Sequence, residues 1–322
     1  MSRNMTMLTL PDFIEKQILF VQAESDRENF LKFKNDNILF RKDEENIDQI
    51  SCHKVFAIFI VGDFSITTVL IRNCEQHGIS LFLVKNNFEV YARINSRLDG
   101  NYLLRERQYK FRDEFLIAKK LIGNKIYNQL SLLCEQKKLD DFKKGYGVFL
   151  EDIRNAESEK ELLGIEGNAS KLFFGQYFSE MNWLRRLPRS KYDVNNVMLD
   201  IGYTFMFNFI DSLLCLYGFD TYKGFYHKLF FQRQSLSCDL VEPFRCLIDR
   251  QLLKAYNLKQ VNEKDFQLIN GRYVLAYDKQ RKYLQMFFNC IMERKEDIFS
   301  YVKDYYYFMM RDNKEFPFFK IK

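Results

Sequence analysis

Residue types able to do hydrolytic or transfer chemistry gather between Gly218 and Arg245, in GFDTYKGFYHKLFFQRQSLSCDLVEPFR. His227 closes an aromatic run that follows Gly224, and Asp239 and Glu242 stand three residues apart at what reads as a helix start. A spacing of i, i+3 puts both carboxylates on one helix face. Ser237 reads as the N-cap, and Pro243 fits a first turn, where its missing N–H has no intrahelical partner to lose. The structural alternative is that the helix dipole alone stabilises acidic side chains there, and that His227 is a satisfied packing residue. Glu166, in ELLGIEGNASKLFFGQYF, is a third candidate ligand. Gly164, Gly167, Ala169 and Gly175 make one side of its helix small, although each Gly costs roughly 1 kcal/mol relative to Ala. Close approach of another group to that backbone is therefore expected, with helix packing and a solvated Glu166 as the bland alternative.

The elements that must position these residues fall into two regions. Short runs rich in Phe, Ile, Leu and Val predict strands over Lys16 to Ala23, Asn29 to Lys34, Asn37 to Lys42, Ile47 to Ser51 and Val55 to Val61, with Asn35 and Asp36 as a two-residue hairpin turn. A helix is expected from Ser65 to Gln76, capped by Asp63 or Ser65 and stopped by Gly78, then a hairpin of Ser80 to Val84 and Glu89 to Arg93 around Asn86 and Asn87. From Gly100 the alternation gives way to helical patterns: Tyr102 to Leu121, Ile126 to Gln136, Ala156 to Arg186, Asn195 to Tyr217, Asp239 to Tyr256, and Asp278 to Met309 with a break near Glu293. The fold class is therefore α+β: a small N-terminal β-rich domain over residues 1–98 and a larger all-helical domain over residues 99–322, joined at the polar turn Asn95 to Asn101.

Composition limits the function classes. At 322 residues and 47% hydrophobic, the chain can bury a sizeable core. The seven cysteines form no CxxC pair, so they read as reduced thiols of a cytoplasmic protein and not as a zinc framework. The start lacks a sustained apolar stretch, and Met198 to Phe219, the most apolar span, is interrupted by Asp200, Asn208 and Asp211. That reads as a buried helix, with no export and no membrane. Net charge is only +6, yet basic residues cluster at Lys119 and Lys120, Lys137 and Lys138, Lys143 and Lys144, and Arg185 to Lys191. Such clusters suit a polyanion, although paired lysines are usually solvated helix faces.

The segments GIEGNASKLFFGQYF, DVNNVMLDIGYTFMF, GFDTYKGFYH and SLSCDLVEPFR, in this order, resemble the integrase and endonuclease family called CRISPR-associated protein one. VFAIFIVGDFSITTVLIRNCEQHGISLFLV resembles the same family's N-terminal β-domain. The resemblance implies that Glu166, His227 and Glu242 hold Mg²⁺ or Mn²⁺, and that Asp239 is a neighbouring acidic residue able to orient a metal-bound water. Two carboxylates and an imidazole leave a six-coordinate ion open positions for waters and phosphate oxygens. The activity implied is insertion of captured DNA into a CRISPR array, the 3′-OH attacking a phosphodiester at the repeat edge, with hydrolysis when water replaces the 3′-OH. The implied partners are double-stranded DNA, a second copy in a homodimer through the N-terminal domains, and a small ferredoxin-like companion, CRISPR-associated protein two. A composition rich in Lys and aromatics resembles class 2 type V systems, where an end-trimming nuclease also joins. The chain departs from the family at Gln232 and Arg233, and in RRLPRSKYDVNN, which puts DNA contacts by Arg186 and Arg233 in question. A non-catalytic DNA-binding scaffold is the alternative of a different class. A small-molecule His and carboxylate centre is a third, disfavoured by the chain's three histidines.

Overall fold

The first third of the chain builds two four-stranded sheets, and alternation of apolar residues explains most of it. A computed structural model describes residues 10–23, 27–86, 89–95, 101–137, 142–311 and 314–322. A short helix α1 (Leu10–Ile14) precedes β1 (Gln17–Gln22), β2 (Asn29–Lys34), β3 (Asn37–Lys42), β4 (Glu45–Ser51), β5 (Val55–Val61) and β6 (Ser65–Ile66). Helix α2 (Thr68–Gln76) then leads to β7 (Ser80–Val84) and β8 (Val90–Ile94). One sheet has the order β1-β5-β7-β8 and the other β4-β3-β2-β6. Asn35 and Asp36 both have positive φ, the conformation of a tight hairpin turn between β2 and β3. β5, VFAIFIV, is buried at every residue and pairs in parallel with both β1 and β7, as a central strand covered on both faces should. The expected helix start at Ser65 is corrected: Ser65 and Ile66 pair with β2, and Thr67 caps α2 by accepting from the Leu70 N–H at 3.1 Å.

The remainder is mostly helical: α3 (Tyr102–Lys110), α4 (Glu114–Lys137), α5 (Phe142–Asn155), α6 (Glu159–Tyr177), α7 (Val194–Tyr217), α8 (Ser235–Val241) and α9 (Arg245–Asn257). A hairpin of β9 (Phe266–Ile269) and β10 (Arg272–Leu275) precedes α10 (Gln280–Glu293) and α11 (Lys295–Met310). Sequence patterning placed the first break between Leu121 and Ile126, whereas α4 runs through it and the break lies between Lys110 and Glu114. Gly123, Asn124 and Lys125 are buried inside α4, so packing overrides their weak helical signal. The hairpin shows that the second region is not all-helical; its turn, Asn270-Gly271, has positive φ at both residues. The long helix expected over Ala156 to Arg186 ends at Tyr177.

The hydrophobic core continues across both regions. Phe56 and Phe59 of β5 meet Phe209 and Phe205 of α7 edge-on at 5.5 and 5.0 Å. Asp211 of α7, fully buried, accepts from Asn95 at 2.9 Å and pairs with Arg93 at 3.4 Å. α7 is long and apolar enough to cross a membrane and is buried within the protein. The expected boundary near residue 98 falls in 96–100, outside the described residues.

Candidate metal centre

Helix α4 carries the floor of the site. Lys125, on its buried face, projects its ammonium between two carboxylates: Glu166 of α6, with which it forms a short ion pair, and Glu242, at 2.7 Å. Ser170, one turn beyond Glu166, also donates to Glu166, at 3.1 Å. Burial opposes the charge on Lys125, but Glu242 and Glu166 outweigh burial and raise its pKa. Sequence reasoning missed this residue. The signal was a lysine in register with Leu121, Ile122 and Asn128 on an otherwise buried helix stripe.

Glu242 belongs to a 3-10 turn, Glu242–Phe244, that joins α8 to α9. The single helix expected from Asp239 is thus corrected: helical structure begins at Ser235, and Pro243 occupies the first turn of the 3-10 segment, where its missing N–H is harmless. Ser237 is not a cap; its hydroxyl donates to the buried Asp211 at 2.7 Å and ties α8 to α7. The turn is pinned from below by Asn128 of α4, whose amide donates to the Pro243 carbonyl at 3.1 Å. Arg245 pairs with Glu242 at 3.0 Å and stacks over Tyr203 at 4.6 Å. Burial pushes the Glu242 carboxyl up, yet Arg245, Lys125 and His227 together hold it down at about 2. Its Oε2 is buried and, despite the ion pair, has no hydrogen bond of proper geometry.

His227 comes from the loop between α7 and α8, and Asp239 shapes that loop. The Asp239 carboxylate, fully buried, accepts from the backbone N–H groups of Phe225, Tyr226 and His227 at 2.6, 3.0 and 2.8 Å. The same carboxylate meets Nδ1 of the His227 ring at 2.8 Å. Both of its oxygens are thereby engaged by protein groups, which leaves Asp239 behind the imidazole and poorly placed to orient a water in the groove. A proton on Nδ1 directs Nε2 outward as the donor nitrogen. Gly224 makes the tight approach feasible: a Cβ there would lie 2.7 Å from the His227 carbonyl oxygen and the Ser235 carbonyl carbon.

Glu166, His227 and Glu242 therefore line one pocket of about 400 Å³. It adjoins a groove of about 1540 Å³ bordered by Lys171, Arg185, Arg189, Lys191 and Arg233. Gly167 and Gly175 face this groove, and a Cβ at Gly164, Gly167 or Gly175 would meet nothing within 4 Å. Ala169, by contrast, is buried against the neighbouring helices, so among the described residues the open stretch of this helix is at its glycines. Arg186 is held by Asn196 at 2.7 Å and Asp200, and Arg233 by Ser235 and the Lys228 carbonyl. Both arginines still line the groove. Tyr203 is buried between Arg186 and Arg245 and donates to Asp249. The Tyr226 hydroxyl is buried with no hydrogen-bond partner, and burial, Glu166 and Glu242 raise its pKa. Lys138, Lys143 and Lys144 lie outside what is described of side chains.

The donor set suits a hard divalent cation: two carboxylates and an imidazole, with the Lys125 ammonium already standing as a cation between the glutamates. Among the described residues, the His, Cys, Asp and Glu donors that all lie within 4.8 Å of one another are those of Cys52, His53 and His77, not these three. Lys125 stands between the glutamates and keeps them apart.

A family model described as CRISPR associated protein Cas1 matches residues 25–289. The chain is 32% identical over 227 residues to CRISPR-associated endonuclease Cas1 1 of Thermodesulfovibrio yellowstonii, across 65% of this chain and 71% of that one. Its fold superposes on a CAS1 protein from Thermotoga maritima with TM-score 0.82 and 19% identity, covering 95% of this chain and 100% of the other. A casposase bound to integration product gives 0.78 at 20% identity over 93% and 92% of the two chains. A Cas6-RT-Cas1–Cas2 complex gives 0.77 at 20% identity, over 96% of this chain and 36% of that one. The family match extends from the β-rich region through the metal-site helices, and the chain belongs to the CRISPR-associated Cas1 family.

Proposed function

We propose that the chain is a metal-dependent DNA integrase and endonuclease that inserts captured DNA fragments into a CRISPR array. The observation that carries the reading is the cation position between Glu166 and Glu242, beside a histidine whose ring is held by a buried carboxylate. Glu166, Glu242 and Nε2 of His227 would hold Mg²⁺ or Mn²⁺, which supplies charge stabilisation at a phosphodiester and lowers the pKa of a bound nucleophile. The chain's own residues do the positioning. Asp239 fixes the histidine ring and the loop behind it, Arg245 and Lys125 keep Glu242 ionised, and the basic wall of the groove meets the DNA backbone. The bare face of α6 admits that backbone closely. The exposed Phe230 and Phe231 at the groove edge offer stacking surfaces for unpaired bases. A 3′-OH as nucleophile gives strand transfer, and water gives cleavage.

Relatives described as endonucleases, the casposase with its integration product, and the complex containing Cas2 support this reading and the partners that follow from it. Those partners are duplex DNA, a second copy of this chain and a Cas2 companion, with an end-trimming nuclease in the same system. A cytoplasmic location fits a substrate of that kind.

A strand-transfer assay tests the proposal: a short duplex with free 3′ ends, a supercoiled plasmid carrying a CRISPR repeat, Mg²⁺ or Mn²⁺, with and without the companion subunit. Wild type is expected to join the DNAs only with metal, and His227→Ala to bind DNA normally but not join it. DNA binding by both proteins with no nicking or joining under either metal would favour a DNA-binding scaffold, and equal joining by His227→Ala would remove His227 from the centre.

A further inference from the structure

We propose that Cys52, His53 and His77 form a second metal site, for a borderline transition-metal ion such as Zn²⁺, in the β-rich region of the fold. Their donor atoms all lie within 4.8 Å of one another. They come from two separate segments. Cys52 and His53 open the 3-10 turn between β4 and β5, and His77 is the C-terminal cap of α2. The two imidazoles meet edge-to-face, with ring centroids 5.1 Å apart, and Phe33 stacks on His77 at 5.7 Å.

The chemistry of this set differs from that of the carboxylate centre. One thiolate and two imidazoles suit Zn²⁺ and disfavour Mg²⁺, which prefers oxygen. Tetrahedral zinc with ordinary Zn–S and Zn–N bonds holds its donors about 3.5 Å apart, so closure takes about 1 Å of side-chain movement. His53 is exposed and can make that movement toward the fully buried Cys52, while His77 is half-buried. Burial and Asp36 push the Cys52 thiol up, against Lys16 and the backbone N–H groups of His53 and Cys52, so without an ion the sulfur is held protonated. A bound dication would supply the missing positive charge. Asp36, exposed, is tied to the site through its main-chain carbonyl, which accepts from the Cys52 N–H at 2.9 Å, and water would fill the fourth position of a tetrahedral ion. Such an ion would clip the β4–β5 corner to the end of α2, two points joined otherwise through packing around Cys52 and Cys74.

Titration of the purified full-length chain with Co²⁺ tests the site, because a cobalt–thiolate bond announces itself by a charge-transfer band that oxygen and nitrogen ligands do not give. Wild type is expected to develop that band stoichiometrically and to lose it on addition of Zn²⁺. Glu166→Ala should keep the band, since the carboxylate centre contains no sulfur. His53→Gln, at an exposed position that leaves the core untouched, and His77→Ala should each weaken Zn²⁺ affinity by about tenfold or more, the scale that even outer-shell changes reach. Zn²⁺ should also raise the melting temperature of wild type and not of His53→Gln. Absence of the thiolate band in wild type would overturn the proposal, as would a band and a Zn²⁺ affinity unchanged in both histidine variants.

Discussion

A buried carboxylate can act entirely through its neighbours, and in the proposed metal centre that is the part the hydrogen bonds give Asp239. Its oxygens hold three backbone N–H groups and the His227 ring, so its contribution lies in which nitrogen of His227 faces the groove. Asp239→Asn would present an amide N–H to donors and is expected to reduce joining by about 10- to 100-fold, the usual effect of losing a partner behind a metal-bound histidine. Metal affinity should fall in parallel while DNA binding stays, and a variant with wild-type metal affinity would contradict this role. Lys125 is the second residue whose part is electrostatic. Glu242 titrates at about 2 in the fold against an ordinary 4.5, so its stabilisation is present above the unfolded value and is lost as pH falls toward about 2. Lys125→Met removes one of the cations responsible, leaving Glu166 without its ion-pair partner and Glu242 with Arg245 alone, at a cost of at most about 3–5 kcal/mol. Acid unfolding of the variant, followed by circular dichroism, should begin at higher pH than in wild type, with Mn²⁺ restoring part of the loss.

At the scale of elements, what the sequence revealed was local and what it hid was tertiary. β2, β3 and their Asn35-Asp36 turn follow from alternation and turn chemistry, and α7 from the helical pattern of Asn195 to Tyr217, to which the structure adds a cap at Asp193 and a stop at Gly218. Glu166, His227 and Glu242 were legible as a constellation because the family's segments surround them. Lys125 was not, because only the packing of α4 brings it between two residues distant in sequence. Ser237 was misread for the same reason: a hydroxyl near a helix start looks like a cap until Asp211 is placed beside it. The β9–β10 hairpin was missed although its Asn270-Gly271 turn is a strong local signal, since the helical patterns on either side masked it. The loop from Gly218 to Gln234 is the element on which catalysis depends most, and Gly224 is its narrowest point. Gly224→Ala is expected to cost about 1–3 kcal/mol from overpacking and to abolish joining, because the atoms it strikes are backbone at His227 and Ser235. Stability measured by denaturant and activity near wild type would show that the loop yields more easily than this packing implies.

The whole molecule separates two tasks while sharing one core. β5 and β7 lay an aromatic face against α7 and α10, so the β-rich region and the helical region support each other through Phe59, Phe82, Phe205 and Phe288. That continuity seats the groove and its basic wall on the shared core, and the wall gathers cations although 49 basic residues against 43 acidic ones leave a net charge of only +6. The two proposed metal sites differ in chemistry, two carboxylates and an imidazole beside the groove against a sulfur-containing set at the β4–β5 corner. The central claim is that Glu166, His227 and Glu242 together hold a divalent cation. Mn²⁺ binding to the DNA-free chain, followed by electron paramagnetic resonance, tests it most directly in wild type, Glu166→Gln and Glu242→Gln. Wild type is expected to bind Mn²⁺ and both variants to lose it; wild-type Mn²⁺ affinity in both variants would rule out a centre built on these glutamates.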